Sequence, residues 1–231
     1  MIRESKQEKE LSFKEGKYMK KCKVALEKIL PAEIEQRSFE IITEELGERV
    51  LDPVQAPVIK RVIHTTADFD YVDHLYFSEG VVKYLQNALK NGAYIVTDTQ
   101  MARSGINKRE LAKYGGKVFC FMSDDDVAEN AKRNKTTRAV ASMDKASSLS
   151  KQVIFAIGNA PTALVRLYEL MKEEKIDPIG IIAVPVGFVN VVESKELIIK
   201  SGCPCIVARG RKGGSNVAAA IVNALLYEMR K

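Results

Sequence analysis

The side chains best suited to acid–base chemistry and anion binding lie in two short stretches. His64 stands three residues after Arg61, and this spacing puts the imidazole and the guanidinium on one side of a predicted helix. The stretch 209–215 reads Arg-Gly-Arg-Lys-Gly-Gly-Ser, and it offers backbone N–H groups and positive charge to an anion. A nearby cation favours a neutral imidazole and a bound polyanion favours a protonated one, so His64 suits proton exchange with an acidic ligand.

Each pattern also has a purely structural interpretation. Glycines that end a strand and cap a helix explain 209–215 about as well, and their spacing matches neither a Walker loop nor the dinucleotide fingerprint. On spacing alone, a helix-end histidine satisfied by the core explains His64 equally well. His74 follows Asp73 in a predicted loop without a clear partner, so a structural role is favoured. The acids at 124–126 indicate a helix N-terminus rather than a magnesium site.

The elements that position these residues are predicted from a repeated strand–turn–helix pattern. The clearest unit is the apolar run Val153–Ile157, followed by Gly158-Asn159 and by a helix that can begin at Pro161. Five such strands are predicted: 93–97, 118–122, 153–157, 179–184 and 205–208. Short strands separated by helices indicate a three-layer α/β/α, Rossmann-like fold with a mainly parallel five-stranded sheet and an N-terminal helical region. Ligands bind at the carboxyl ends of such strands, which makes Asn159 and Thr162 candidate pocket residues.

Length and charge set limits on the class of protein. The 231 residues suit a single α/β domain, predicted over 31–231, after a basic helical extension over 1–30. Residues 1–28 hold nine Lys or Arg against five Glu, a surplus of four, which leaves +2 of the formal +6 for the rest. Such a basic stretch is typical of a solvated helix, so nucleic-acid binding is not expected. The N-terminus has no apolar signal region and no membrane association is expected.

The sequence carries no recognisable cofactor or metal motif. The four cysteines form no secretory disulfide pattern, which favours a reduced, cytoplasmic protein. Cys203 and Cys205 are predicted to be buried at the entry of a strand rather than to act as redox groups or zinc ligands. Hydride, phosphoryl and methyl-donor chemistry would each require a motif that is not found.

Five motifs, taken together and in order, resemble the precorrin-8X methylmutase family, also called precorrin isomerases. They are Glu-Gln-Arg-Ser-Phe at 35–39, Arg-Val-Ile-His at 61–64, Ile-Gly-Asn-Ala-Pro-Thr-Ala-Leu at 157–164, Pro-Val-Gly-Phe-Val at 185–189 with Glu-Ser-Lys at 193–195, and the glycine-rich stretch at 209–215. The resemblance covers roughly residues 33–228.

The resemblance implies an isomerase of cobalamin biosynthesis. The reaction is an intramolecular methyl shift from C-11 to C-12 of a ring-contracted tetrapyrrole, which gives hydrogenobyrinic acid or cobyrinic acid. In the family the histidine of the Arg-x-x-His motif is the proton donor or acceptor, which maps onto His64, while Arg61 and Ser38 map as substrate contacts. A flat substrate with several carboxylates needs donors around a broad groove, and the expected rim is Arg61, Arg138, Arg211, Gly213 and Gly214.

The resemblance also implies partners and leaves rival functions open. It implies that the reaction uses no cofactor, although cobalt can be present inside the substrate macrocycle. It also implies a homodimer with the site near the subunit interface. The sequence from Thr65 to Tyr71 has the form associated with the cobalt-dependent branch. A non-catalytic tetrapyrrole carrier is the alternative, and a Rossmann-like nucleotide-binding enzyme is a third, weaker option.

Overall fold

The structure is a computed structural model that describes residues 27–230. Residues 27–37 belong to one compact unit and residues 38–230 to another, so each is described by itself. The predicted extension lies outside the described residues up to position 26, and residues 27–30 are not helical. Within the first unit, Arg37 donates to the Glu27 carboxylate at 3.4 Å.

Across the described residues, helices and strands alternate along most of the chain. The helices are α1 (Ile34–Leu46), α2 (Ala56–Thr66), α3 (Tyr71–His74), α4 (Val81–Lys90), α5 (Gln100–Gly105), α6 (Lys108–Ala112), α7 (Asp125–Arg133), α8 (Arg138–Ala146), α9 (Pro161–Lys172), α10 (Val191–Lys200) and α11 (Ser215–Glu228). The strands are β1 (Leu75–Phe77), β2 (Tyr94–Thr97), β3 (Val118–Phe119), β4 (Val153–Ile157), β5 (Gly180–Ala183) and β6 (Cys205–Ala208).

One sheet organises the domain. Its strand order is β1-β6-β5-β4-β2-β3, and every neighbouring pair is parallel except β1 with β6. The parallel α/β prediction is confirmed, but the sheet has six strands because the three-residue β1 adds an antiparallel edge. Helix α2 begins at Ala56, after a turn in which the Asp52 carboxylate accepts two backbone N–H groups.

The sheet is buried on both faces, as the apolar strands predict. Successive residues of a strand point to opposite faces, so Ile154 joins a cluster with α2, α4 and α11, whereas Phe155 joins one with α8, α9 and α10. Both side chains are at most 2% exposed. Two helical layers therefore enclose the sheet, and the loops at its carboxyl edge are left to carry the site.

Strand β1 determines where the helices before the sheet come to lie. Leu75 pairs with Ala208, the last residue of β6, so β1 enters the sheet at the carboxyl edge of the parallel strands. The N–H of Arg209 also donates to the carbonyl oxygen of His74 at 2.8 Å. Helices α2 and α3 precede β1, and this antiparallel pairing therefore brings the end of α2 to the mouth formed by the βα turns.

Candidate functional site

His64 lies near the C-terminal end of α2 with its side chain exposed to solvent. Its imidazole stacks on the ring of Phe39 from α1, with the ring centroids 5.4 Å apart and the planes inclined by 14°. The Arg61 guanidinium carbon lies 4.7 Å from the centroid of that ring and 5.1 Å from the Tyr227 ring. The predicted common face of Arg61 and His64 is confirmed, and Phe39 serves as its platform. Neighbouring Ser38 is half-buried in α1.

The segment after His64 is tied to the glycine-rich turn. The ammonium of Lys212 donates to the carboxylates of Asp68 at 2.7 Å and Asp70 at 2.6 Å. Both acids raise the pKa of Lys212 above its ordinary range. The lysine is therefore engaged within the protein, and its contacts hold the end of α2 next to the loop between β6 and α11.

The turn at Gly213 and Gly214 needs glycine at both positions. Their φ angles are +156° and +143°, which L side chains rarely adopt. A Cβ atom on Gly213 would collide with the carbonyl oxygen of Val184, which already accepts the N–H of Gly214 at 2.8 Å. A Cβ atom on Gly158 would approach the backbone of Ser215 to 2.7 Å. The turns after β4, β5 and β6 therefore pack backbone against backbone.

Asp98 follows strand β2 and organises the turn after β4. It is fully buried and accepts the N–H groups of Gly158 at 2.9 Å, Asn159 at 2.8 Å and Ala160 at 2.6 Å. Burial raises the pKa of the Asp98 carboxyl, and the three N–H donors act against that shift. The carboxylate thus fixes the turn that presents the exposed side chain of Asn159.

Thr162 is connected to Arg138 through Thr137, the residue that precedes Arg138 in the chain. Thr162 stands at the start of α9, and its hydroxyl lies 3.2 Å from that of Thr137. Thr137 caps α8 by accepting the N–H of Val140 at 3.2 Å, and Arg138 is the exposed first residue of that helix. The contact between the two hydroxyls places the start of α8, with Arg138, beside the β4–α9 turn.

The loop after β5 contributes apolar surface beside the glycine-rich turn. Phe188 is 81% exposed and Val189 is 78% exposed, which is unusual for large apolar side chains outside contact surfaces. The guanidinium carbon of Arg211 lies 5.5 Å from the centroid of the Phe188 ring. An aromatic ring and a cation therefore stand together at this edge.

The contacts join the candidate residues into two neighbouring groups. Ser38, Arg61 and His64 surround Phe39, and the Lys212 ion pairs connect their segment to the glycine-rich turn. That turn, with Arg211, Gly213 and Gly214, packs on Gly158 and so adjoins Asn159, Thr162 and Arg138. All nine candidates therefore lie on segments that meet at the carboxyl edge of the sheet.

Several residues with metal-like or redox-like spacing have structural partners instead. Asp124 and Asp126 both accept from the Lys145 ammonium at 2.7 Å. Among residues 27–230 no cluster of three or more His, Cys, Asp or Glu has the arrangement of a metal site. Burial raises the pKa of Cys203 to about 12 and of Cys205 to about 11. Cys205 is buried as predicted, whereas Cys203 is only partly buried.

His74 has the structural partner that its sequence context did not reveal. Its Nδ1 donates to the carbonyl oxygen of Asp70 at 2.7 Å, within the short helix α3 rather than in a loop.

No helix among the described residues is long and apolar enough to span a membrane.

Comparisons with known proteins connect this geometry to a chemistry. The profile of a family described as precorrin-8X methylmutase matches residues 33–228. The chain is 48% identical to the cobalt-precorrin-8 methylmutase of Salmonella typhimurium, over 87% of this chain and 97% of that protein. It is 35% identical to the precorrin-8X methylmutase of Pseudomonas aeruginosa, over 84% of this chain and 94% of that protein.

A solved structure supports the same likeness at the level of the fold. The precorrin-8X methylmutase from Thermus thermophilus superposes with a TM-score of 0.77 and is 36% identical, covering 84% of this chain and 96% of that one.

Proposed function

Because the chain belongs to the precorrin-8X methylmutase family, we propose that its residues at the carboxyl edge of the sheet bind and rearrange a cobalt-containing corrin precursor. The protein is an isomerase of cobalamin biosynthesis that moves a methyl group from C-11 to C-12 of the macrocycle. The observation that carries the proposal is the solvent-facing imidazole of His64, stacked on Phe39 beside a turn rich in cations and N–H donors.

Binding is proposed to depend on the peripheral carboxylates of the substrate. Arg138 and Arg211 are exposed cations at this edge, and a guanidinium binds a carboxylate through two parallel hydrogen bonds. The backbone N–H of Gly213 adds a donor that needs no side-chain ordering, whereas the N–H of Gly214 is bound by the Val184 carbonyl. Lys212 is excluded from this set because two aspartates already bind it. The flat ring of the substrate then faces Phe188 and the imidazole.

The proposed step at the ring is a proton transfer coupled to migration. The imidazolium of His64 donates a proton from Nε2 or Nδ1 to a ring nitrogen or carbon, which withdraws electron density from the position that receives the methyl group. The bond from C-11 to the methyl carbon breaks while the bond to C-12 forms, and the imidazole then takes a proton back. Protons and electrons balance, so the proposed step consumes no cofactor. A positioned general acid contributes about 10² to 10⁴ in rate.

Two observations support the cobalt-containing substrate. The segment that follows His64, from Thr65 to Tyr71, has the form expected for the cobalt-dependent branch. The relative that is 48% identical acts, by its name, on cobalt-precorrin-8, whereas the one described as acting on precorrin-8X is 35% identical.

We further propose a cytoplasmic homodimer in which the second subunit covers the site. The exposed Phe188 and Val189 support this arrangement because large apolar side chains at a site mouth are favourable when they are removed from water. Light scattering of the purified protein gives the oligomeric state, and a monomer at catalytic concentrations would contradict the covered site.

The activity is tested by incubating the protein with cobalt-precorrin-8 or precorrin-8X and recording the visible spectrum without added cofactor. Conversion to the product chromophore is expected, and faster conversion of the cobalt form supports the substrate assignment. A pigment that binds and stays unchanged would indicate a carrier instead.

A further inference from the structure

Lys195 is a fully buried lysine that the proposed reaction does not use. It lies on the inward face of α10 together with Val191, Ser194 and Ile198, which are also buried. Burial lowers the pKa of its ammonium to about 8. Within residues 27–230 no carboxylate forms an ion pair with it, so its charge is unneutralised there.

The ammonium binds two carbonyl oxygens of the glycine-rich turn. Its Nζ donates to the carbonyl of Gly210 at 2.8 Å and to the carbonyl of Lys212 at 2.8 Å. An unpaired buried charge is costly, and an apolar side chain of similar length would fill the same space at lower cost. The role of the lysine therefore lies in these two hydrogen bonds.

The two bonds also determine which way the turn presents its N–H groups. In a trans peptide the N–H points away from the C=O of the same unit. Because the Gly210 and Lys212 carbonyls point inward to Lys195, the N–H groups of Arg211 and Gly213 point outward. In the described part of the chain neither N–H has a hydrogen-bond partner. The turn is thus held with two unbonded donors that point away from Lys195.

We propose that Lys195 is a positioning residue for substrate binding, which orients the turn 210–213 by holding its carbonyl groups from within. The inference rests on the proposed function, because it assigns the outward N–H groups of Arg211 and Gly213 to a peripheral carboxylate of the substrate. Without the lysine the Gly210 and Lys212 carbonyls, which are not deeply buried, turn toward water. The donors then lose their common direction.

The test compares Lys195→Met with Lys200→Met, which removes an exposed lysine from the end of the same helix. Lys195→Met is expected to raise both the Kd and the KM for cobalt-precorrin-8 at least about tenfold while kcat changes less than about threefold. Its melting temperature is expected to stay level or rise, because a buried charge is removed. Lys200→Met is expected to match the wild type in all four quantities.

A second variant and a second measurement separate positioning from a general effect on folding. Lys195→Gln keeps two N–H donors without the charge and is expected to retain more affinity than the methionine variant. Amide hydrogen exchange of the Gly214 N–H, which donates to the Val184 carbonyl at 2.8 Å, is expected to accelerate in Lys195→Met, while exchange in helix α9 is expected to remain near wild type. If Lys195→Met does not fold, Lys195→Gln is compared with the wild type instead. Weaker binding with faster exchange supports the positioning role, and unchanged values contradict it.

The outcomes distinguish this inference from the proposed function. If the wild type converts the pigment and the Lys195 variants bind it with unchanged Kd, the positioning role is wrong and the function stands. If the wild type neither binds nor converts the pigment, the proposed function is wrong, and the exchange rates alone show whether Lys195 orients the turn. Unchanged exchange of the Gly214 N–H would overturn the inference in either case.

Discussion

Replacing Asp98 with asparagine exchanges one carboxylate oxygen for an NH₂ group and tests whether the buried carboxylate holds the β4–α9 turn. One carboxylate oxygen of Asp98 accepts the N–H of Gly158, and the other accepts the N–H groups of Asn159 and Ala160. An asparagine can place its carbonyl at the oxygen that has two donors, but its NH₂ group then faces the remaining N–H. One buried donor is left without an acceptor, and two charge-assisted bonds become neutral ones.

The magnitude follows from those three bonds. An unsatisfied buried donor costs about 1–3 kcal/mol, and each neutralised bond loses about 1 kcal/mol. The loss of a buried charge offsets part of this destabilisation, because burial disfavours the ionised form of Asp98. We therefore expect Asp98→Asn to lower the unfolding free energy by about 2–3 kcal/mol, which corresponds to a melting temperature lower by roughly 5–10 °C.

The assay is thermal unfolding followed by circular dichroism, with Asp73→Asn as the matched control. The Asp73 side chain is exposed and pairs with Arg49 at 3.0 Å on the surface. Its replacement is expected to shift the melting temperature by no more than about 2 °C. An Asp98→Asn variant as stable as Asp73→Asn would refute the reasoning that the carboxylate holds the β4–α9 turn.

Three further perturbations test other parts of the account. Gly213→Ala is expected to weaken binding of the corrin substrate at least about tenfold in a spectral titration, because its Cβ meets the Val184 carbonyl at a φ that alanine rarely adopts. Lys212→Met is expected to lower kcat by up to about 10²-fold in steady-state assays, because the end of α2 loses its tie to the glycine-rich turn. The pKa of Lys195 is about 8 in the folded protein and returns to its ordinary, higher value on unfolding, so between pH 8 and pH 10 the unfolded chain binds more protons than the folded one. The stability of the wild type, measured by thermal unfolding against Lys195→Met, is therefore expected to rise over this pH range.

Each of these expectations has an outcome that contradicts it. Unchanged affinity in Gly213→Ala would show that the turn is not part of the binding surface, with Gly202→Ala, which has open space around its Cβ, as the control. Turnover of Lys212→Met equal to the wild type would show that the ion pairs do not position the histidine segment. A difference in stability that is independent of pH would show that Lys195 is not buried as a charge.

The parallel core of the fold is predictable from sequence because its signals are local. The run Val153–Ile157, the turn at Gly158 and the start of a helix at Pro161 all appear where the sequence pattern places them. Strand β1 was missed because three residues, Leu75–Phe77, are too few for a period to be recognised. Its pairing with β6 depends on residues about 130 positions away.

The support of the candidate site was less predictable, because its key contacts are to backbone atoms far along the chain. The sequence places Asp98 directly after a strand, but its partners are N–H groups 60 or more residues later, and the type of a residue does not reveal where its backbone N–H donates. Lys195 did give a signal, since it stands in the apolar stripe of α10 where a cation is out of place. The stacking of His64 on Phe39 likewise joins two helices that only the fold brings together.

The central claim is that His64 transfers a proton during the methyl shift, and the direct test is single-turnover conversion of cobalt-precorrin-8 by His64→Ala, with His74→Ala as the control. The account predicts that His64→Ala binds the pigment with a Kd within about threefold of the wild type and converts it about 10² to 10⁴ times more slowly. It predicts that His74→Ala, which loses only a contact to the Asp70 backbone, converts it at close to the wild-type rate. Conversion by His64→Ala at the wild-type rate, or equal losses of affinity and rate, would contradict it.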